Sequence, residues 1–367
     1  MQNDRRESVR SNTWVTIFWV MTLSAILPSR GYSLGEVFNE YNAPQALALG
    51  NAWDADSNGY LALYYNPAGL AKYHKKKFEI APLDATIIGG MAGMGPAWSA
   101  QGFGVSQLTN PLLHSPNQYA FYSMALMPSV RIGSFAISFL SSYQSASVSD
   151  GSNLETNTFQ DEGVTVGKGF NFFHRLLKVG VDARAIDRNQ LNGTFAPGVL
   201  GASQVGSQMQ EGLGIGGDVG VMATLPNKFL PTLGFVWHNM GDTSFQSSHF
   251  LNSKSTGTPM MIPQSFNAAF SIHPHLGNHW DGTLSVEMQN IEQSSWGLER
   301  RMHMGLQLAN HRGFYLWLGL NEIYPTGGVA LRLPGGALEV GSYAENIAYG
   351  PQLLGDRRFM VRYTISF

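Results

Sequence analysis

Residues 357–367, R-R-F-M-V-R-Y-T-I-S-F, alternate without a break. Phe359, Val361, Tyr363, Ile365 and Phe367 fall on one face; Met360, Arg362, Thr364 and Ser366 fall on the other. A period of two is a β-strand. In water an edge strand with so apolar a face recruits other chains and aggregates. Facing lipid it is tolerated, provided that both its edges are paired, and pairing the last strand with the first closes a barrel. The competing reading, a closing strand of a soluble sandwich, has to be decided by the rest of the chain.

Composition favours the barrel. The 367 residues include 42 glycines, 12% aromatic residues and only 13% charged ones. That is few charges for a soluble surface, and the mean hydropathy of -0.09 is too low for a helical membrane protein. Alternating lipid-facing and lumen-facing residues average to a neutral hydropathy. Cysteine is absent, which excludes disulfides and thiolate chemistry. No later apolar run reaches the length of a spanning helix.

The N-terminus reads as a secretory signal peptide over residues 1–33. Arg5, Arg6 and Arg10 precede an apolar run over 14–27, and small residues follow around Gly31 and Ser33. Cleavage there removes more basic than acidic residues. The remaining chain has no basic excess to suggest nucleic acid. A final aromatic residue after an alternating strand also resembles the recognition signal that barrel-assembly machinery reads in bacterial outer-membrane proteins.

Residues 34–76 do not alternate and are expected to form a compact, irregular plug. They include A-L-A-L-G-N-A and then D-A-D-S-N-G-Y-L-A-L-Y-Y-N-P-A-G-L-A. Pro67 fixes its own φ and pushes Asn66 out of the helical region, and Gly69 can supply a left-handed turn. Asp54-Ala55-Asp56-Ser57-Asn58-Gly59 matches the first half of a calcium loop. Tyr65 stands where the bidentate Glu should be, so an Asx-rich turn is the better reading.

From Lys77 onward, alternation and turn signals mark fourteen strands. They are 78–88, 119–130, 133–147, 157–170, 174–187, 211–225, 229–240, 264–275, 279–291, 300–310, 313–321, 325–333, 336–344 and 357–367. Gaps after even-numbered strands are tiny, whereas most gaps after odd-numbered strands are longer, led by 89–118, 188–210 and 241–263. Short periplasmic turns and long outer loops produce this pattern. Leu284, Val286, Met288, Met302, Met304, Leu306, Leu308, Leu177, Val179 and Val181 make up apolar faces toward lipid. Thr283, Ser285, Glu287, His303, Lys178 and Arg184 lie on the faces toward the lumen. Trp237, Trp280, Trp296 and Phe314 sit near strand ends, where aromatic girdles belong. The expected architecture is all-β: a transmembrane antiparallel β-barrel over 77–367 with a small N-terminal plug.

The stretch over 44–71, with Asn66-Pro67-Ala68-Gly69 ahead of many strands, resembles the FadL/PorV superfamily of outer-membrane barrels. Phe235–Gly241 and the last strand agree more weakly. The resemblance implies a hatch carrying Asn66, Pro67, Ala68 and Gly69 inside a fourteen-stranded barrel in the bacterial outer membrane. Its FadL/TodX-like branch implies passive uptake of hydrophobic small molecules such as long-chain fatty acids. Its PorV-like branch implies a scaffold acting with a secretion or surface-attachment partner.

The residues themselves carry no catalytic pattern: G-x-S-x-G, H-E-x-x-H and the P-loop are absent. No enzyme activity, cofactor or metal is expected. His273 and His275 could share a face but lie at a turn beside Pro274. Glu287, Arg301, Arg332, Glu339 and Arg362 read as neutralising pairs on the barrel wall in preference to a selectivity ring. Fourteen strands enclose more space than wall side chains fill. Met91, Met94, Trp98, Phe103, Leu112 and Leu113 in the loop 89–118 could line an apolar ligand site near the outer mouth, or pack as a lid.

Overall fold

The computed structural model describes residue 36 and residues 38–72, 78–90, 109, 112–201, 203–348 and 354–367. The signal segment, and Met91, Met94, Trp98 and Phe103, lie outside the described residues.

All fourteen expected strands form, each antiparallel to its neighbours in one closed sheet. They are β1 (Phe78–Ala81 and Leu83–Gly90), β2 (Tyr119–Leu126 and Ser129–Ile132), β3 (Phe135–Ser149), β4 (Leu154–Phe172) and β5 (Leu177–Phe195). There follow β6 (Gln210–Gly216 and Val219–Thr224), β7 (Thr232–His238 and Phe245–Ser247), β8 (Ser265–Ile272), β9 (Trp280–Met288) and β10 (Met302–Asn310). The last are β11 (Phe314–Asn321), β12 (Tyr324–Leu333), β13 (Gly336–Asn346) and β14 (Gly355–Ile365). Pro82 interrupts β1, and Pro128 interrupts β2 beside it, since proline brings no N–H to a ladder.

Closure runs through β14, which pairs with β13 on one edge and β1 on the other. The pairing continues to the final residue: Phe367 and Ile80 exchange backbone hydrogen bonds of 3.0 and 3.1 Å. Phe359, Val361 and Tyr363 stand 44–48% exposed on the outer face. On the inner face Met360 and Arg362 are buried. Elsewhere Leu284, Met304, Leu306 and Val181 face out while Ser285, Glu287, His303 and Arg184 are buried inside, as alternation requires.

Three neighbouring strands, β3 to β5, differ from expectation at their ends, and β7 gains Phe245–Ser247 from the expected 241–263 loop. β3 ends at Ser149, β4 begins at Leu154 and β5 runs to Phe195, so the first third of the expected 188–210 loop is strand. Outward residues change from Phe135, Ile137 and Phe139 to Ser141, Tyr143, Ser145 and Ser147 along β3, so the hydrophobic alternation disappears while the ladder persists. Side-chain bonds Ser145–Thr158 (2.7 Å) and Ser147–Thr156 (2.8 Å) brace this upper wall. Leu112 packs there, with Tyr122, Leu154, Leu191 and Leu200, against outward-facing positions, and Leu113 beside it is half-buried. At the other end Phe173, His174 and Arg175 all take left-handed φ, which delays the start of β5 to Leu177.

Candidate functional site

Residues 38–72 occupy the inside of the barrel. The segment holds a short helix, α1 (Pro44–Ala48), and two 3-10 turns (Tyr60–Tyr64 and Pro67–Lys72). Ala43, Ala46, Ala48, Trp53, Ala62, Leu63, Leu70 and Ala71 are almost completely buried. Small residues let its backbone lie close to the wall, while Trp53, Leu63 and Leu70 each contribute about 1.5–3 kcal/mol of apolar burial.

Glycines on the inner face of the wall make that approach possible. A Cβ at Gly305 on β10 would stand 2.6 Å from the Leu49 carbonyl oxygen. At Gly169 (β4), Gly180 (β5), Gly220 (β6) and Gly319 (β11) it would come closer still to Ala71, Pro67, Asn66 and Gly50. Part of the high glycine content is thus a seat for the segment. Its sequence signal was available: glycines at inward positions of strands whose other inward residues are polar.

Polar bonds complete the seating. Ala48 O accepts from Thr326 (2.9 Å), Asn51 O from Gln289 (2.8 Å) and Ala71 O from Asn171 (2.8 Å). Gly50 O bonds the His303 ring at 2.9 Å. Gln45 accepts from Arg332 at 2.7 Å, and Tyr60 donates to Asp84 at 3.0 Å. Glu36 takes both terminal nitrogens of Arg358 at 2.6 and 2.7 Å, and Glu40 pairs with Arg184 at 2.7 Å. Arg184 also pairs with Asp218, which in turn meets His238 at 2.9 Å. Burial raises the Glu40 carboxyl above its ordinary range, with Arg184 opposing the rise.

Asn66, Pro67, Ala68 and Gly69 come together at this seat. Asn66 Oδ1 accepts from the Ala68 N–H at 3.0 Å, and its Nδ2 donates to Val221 O at 3.4 Å, so one buried side chain folds the turn and hooks the wall. Gly69 is needed for a different reason from the one expected. It does not take a left-handed φ; a Cβ there would strike the Ser57 carbonyl.

The half-matched calcium loop is such a turn. Asp54 takes Asn267 at 2.8 Å, while Asp56 takes Lys72 at 3.1 Å and His273 at 3.0 Å, so the two carboxylates diverge. Burial alone would raise Asp56, but the Lys72 charge and the His273 bond outweigh it and hold the acid at about 2. His275 bonds Asp281 instead, at 2.6 Å. Among the described residues no His, Asp or Glu group is arranged to hold a metal. Of the wall charges, Arg362 pairs with Asp84 and Glu339, and Arg332 with Glu339, whereas Arg301 donates to Ile291 O. Trp280 stacks edge-on to Phe314, and Trp296 lies in the β9–β10 loop under Arg300.

An apolar recess of about 620 Å³ opens in the wall at β1–β4. Ile87, Tyr122, Met124, Leu126 and Tyr143 line its outward side, and Tyr122 stacks on Tyr143 at 5.4 Å. Thr86, Ala125 and Ser142, which face inward, also border it. Thr86 shares a 3.2 Å hydrogen bond with Tyr41 of the inner segment, so recess and segment adjoin. Sequence reasoning missed this site because its residues come from four strands, and its apolar members read only as lipid face.

The chain has the fold of the CymD monoaromatic hydrocarbon channel, with a TM-score of 0.56 over 91% of this chain and 99% of that one at 12% identity. The Pseudomonas putida toluene transporter TodX aligns over 91% of this chain and 99% of its own at 11% identity and a TM-score of 0.48. The Ralstonia pickettii toluene transporter TbuX aligns over 89% and 99% at 12% identity and a TM-score of 0.49. No protein-family model and no curated protein matches the sequence.

Proposed function

We propose that this chain is a bacterial outer-membrane channel for passive uptake of hydrophobic small molecules, in which residues 36–72 serve as a hatch. One observation carries the reading: the lumen is filled by a segment bonded around the wall, while an apolar recess adjoins it at β1–β4. A filled lumen refuses water and ions. An apolar recess bordered by both inward and outward residues offers a route for molecules that prefer hydrocarbon to water. Its volume lies within the roughly 300–1,000 Å³ typical of small-molecule sites.

The stacked tyrosine pair and the sulfur of Met124 suit compact aromatic hydrocarbons, in line with what CymD is described as conducting. Long-chain fatty acids are the other candidate class, implied by the sequence resemblance. Uptake of an alkylbenzene series and a fatty-acid series into liposomes containing the purified protein tests the proposal. Alkylbenzenes should enter faster than into empty liposomes, while glucose and small ions should not. If neither series enters faster and a secreted or surface protein instead co-purifies stoichiometrically, the scaffold role replaces transport.

A further inference from the structure

A second recess, of opposite chemistry, lies at the long-loop end of the barrel. The early part of the inner segment, the β9–β10 loop, the β11–β12 turn and the top of β13 enclose about 50 Å³ there. At about 10–15 Å³ for each water, that is room for a polar group of roughly three or four heavy atoms.

Its walls present an unusual set of atoms. Asn346 is 2% exposed, and its Oδ1 accepts from Ala348 N at 3.2 Å and Leu354 N at 2.9 Å. Those two bonds fix the amide and leave its buried Nδ2 without a partner among the described residues. Asn51 is fixed the other way round: its Nδ2 donates to Gln289 at 3.3 Å and its buried Oδ1 has no partner among the described residues. Glu322 Oε2 is likewise buried without one. With Glu322 ionised, the recess therefore offers one donor and two acceptors. Glu322 also stands at φ 56 in a two-residue hairpin, where glycine or asparagine is the usual choice. A side chain kept at a strained position points to a role for its carboxyl.

We infer that this recess selects the head group of molecules entering the channel, accepting a neutral group with two donors and one acceptor, of which a primary carboxamide is the simplest. The amide N–H pair would meet Asn51 and Glu322, and its carbonyl would accept from Asn346. A carboxylate has acceptors only, so it leaves both wall acceptors unpaired and faces the neighbouring carboxylate Glu345. Arg358 gives it no purchase, because Glu36 and Asp356 already take the guanidinium, and Arg300, the other cation bordering the recess, sets its charge against Glu322 and Glu345. Burial, Glu345 and Glu299 push the Glu322 acid up to about 8, against the opposing charge of Arg300. Above that pH Glu322 accepts and cannot donate.

The inference rests on the channel reading, and the test separates the two. Titration calorimetry at pH 9 compares phenylacetamide with phenylacetate, which share tail and shape. The amide should bind at least tenfold tighter, and Glu322→Gly should remove most of that preference while relaxing the hairpin. Each tenfold corresponds to about 1.4 kcal/mol. Equal or tighter binding of phenylacetate, or an unchanged preference in Glu322→Gly, overturns the head-group site. Ethylbenzene uptake into liposomes runs alongside. If it persists while the preference is absent, only this inference fails; if it is absent while the preference holds, the channel reading fails.

Discussion

Arg362 on the last strand grips Asp84 on the first with two parallel hydrogen bonds of 2.7 Å, Nε to Oδ1 and Nη2 to Oδ2. The residues are not cross-strand partners: Arg362 lies opposite Thr86, and Asp84 opposite Thr364. The fork therefore spans the closing seam diagonally. Tyr60 of the inner segment donates to Asp84 and accepts from Arg362 at 3.0 Å, so closing the barrel and seating the segment share one buried cluster.

Removing one partner of that cluster should be costly. Arg362→Ala leaves the Asp84 carboxylate buried without its countercharge, a change worth about 3–5 kcal/mol. The double replacement Arg362→Met with Asp84→Leu should recover much of the loss, because packed apolar groups can replace a buried pair. Urea unfolding followed by tryptophan fluorescence measures both. A double mutant as weak as the single one would show that the seam depends on the charges themselves.

The glycine seat makes a separate prediction. Gly319→Val places a branched side chain where the Gly50 backbone lies. Overpacking of this kind costs about 1–3 kcal/mol, and here the segment can yield more easily than the wall. The barrel should still assemble, with residues 45–70 becoming open to protease and liposomes leaking small ions. An intact segment in this variant would mean that the close approach at Gly319 is dispensable.

How much of this was legible beforehand follows from what each feature depends on. The fourteen strands could be read because alternation is a local pattern, and Phe359, Val361 and Tyr363 show it undiluted. The upper ends of β3–β5 could not: the ladder adds 148–149, 154–156 and 188–195 to the expected strands, where polar residues such as Thr156, Asn189 and Gln190 erase the contrast between faces. Asn66 and Pro67 announced a turn, yet nothing local tells that Val221 and Gly180 receive it. The partners of Glu36, Glu40 and Asp54 are likewise set by barrel closure, which brings together residues hundreds of positions apart.

Asp56 gives the segment a pH limit. Its folded-state acidity, at about 2, lies below the ordinary value of 3.8. Its contribution is therefore complete above about pH 4 and is lost as pH falls toward 2. The shift corresponds to on the order of 2 kcal/mol for a carboxylate whose side chain is 14% exposed. Asp56→Asn should loosen residues 50–72 at pH 6, seen as faster hydrogen exchange, and should match the parent at pH 2. A difference between the two proteins that persists at pH 2 would assign the effect to packing.

The recess at β1–β4 supplies the most direct test of transport. Ala125 borders it from the inner side, and Met124 and Leu126 border it from the outer side. Ala125→Trp adds bulk beside Thr86 on the inner border of the recess and leaves the Arg362–Asp84 fork in place, so the barrel should form with normal heat-dependent gel mobility. For the parent protein, each added CH₂ of an alkylbenzene should improve binding by about 0.8 kcal/mol until the recess is full, after which affinity should level off. In Ala125→Trp the levelling should come at a shorter chain, and uptake of ethylbenzene should fall at least tenfold. If the variant folds and conducts like its parent across the whole series, the molecules do not pass through this recess and the route must be sought along the inner segment.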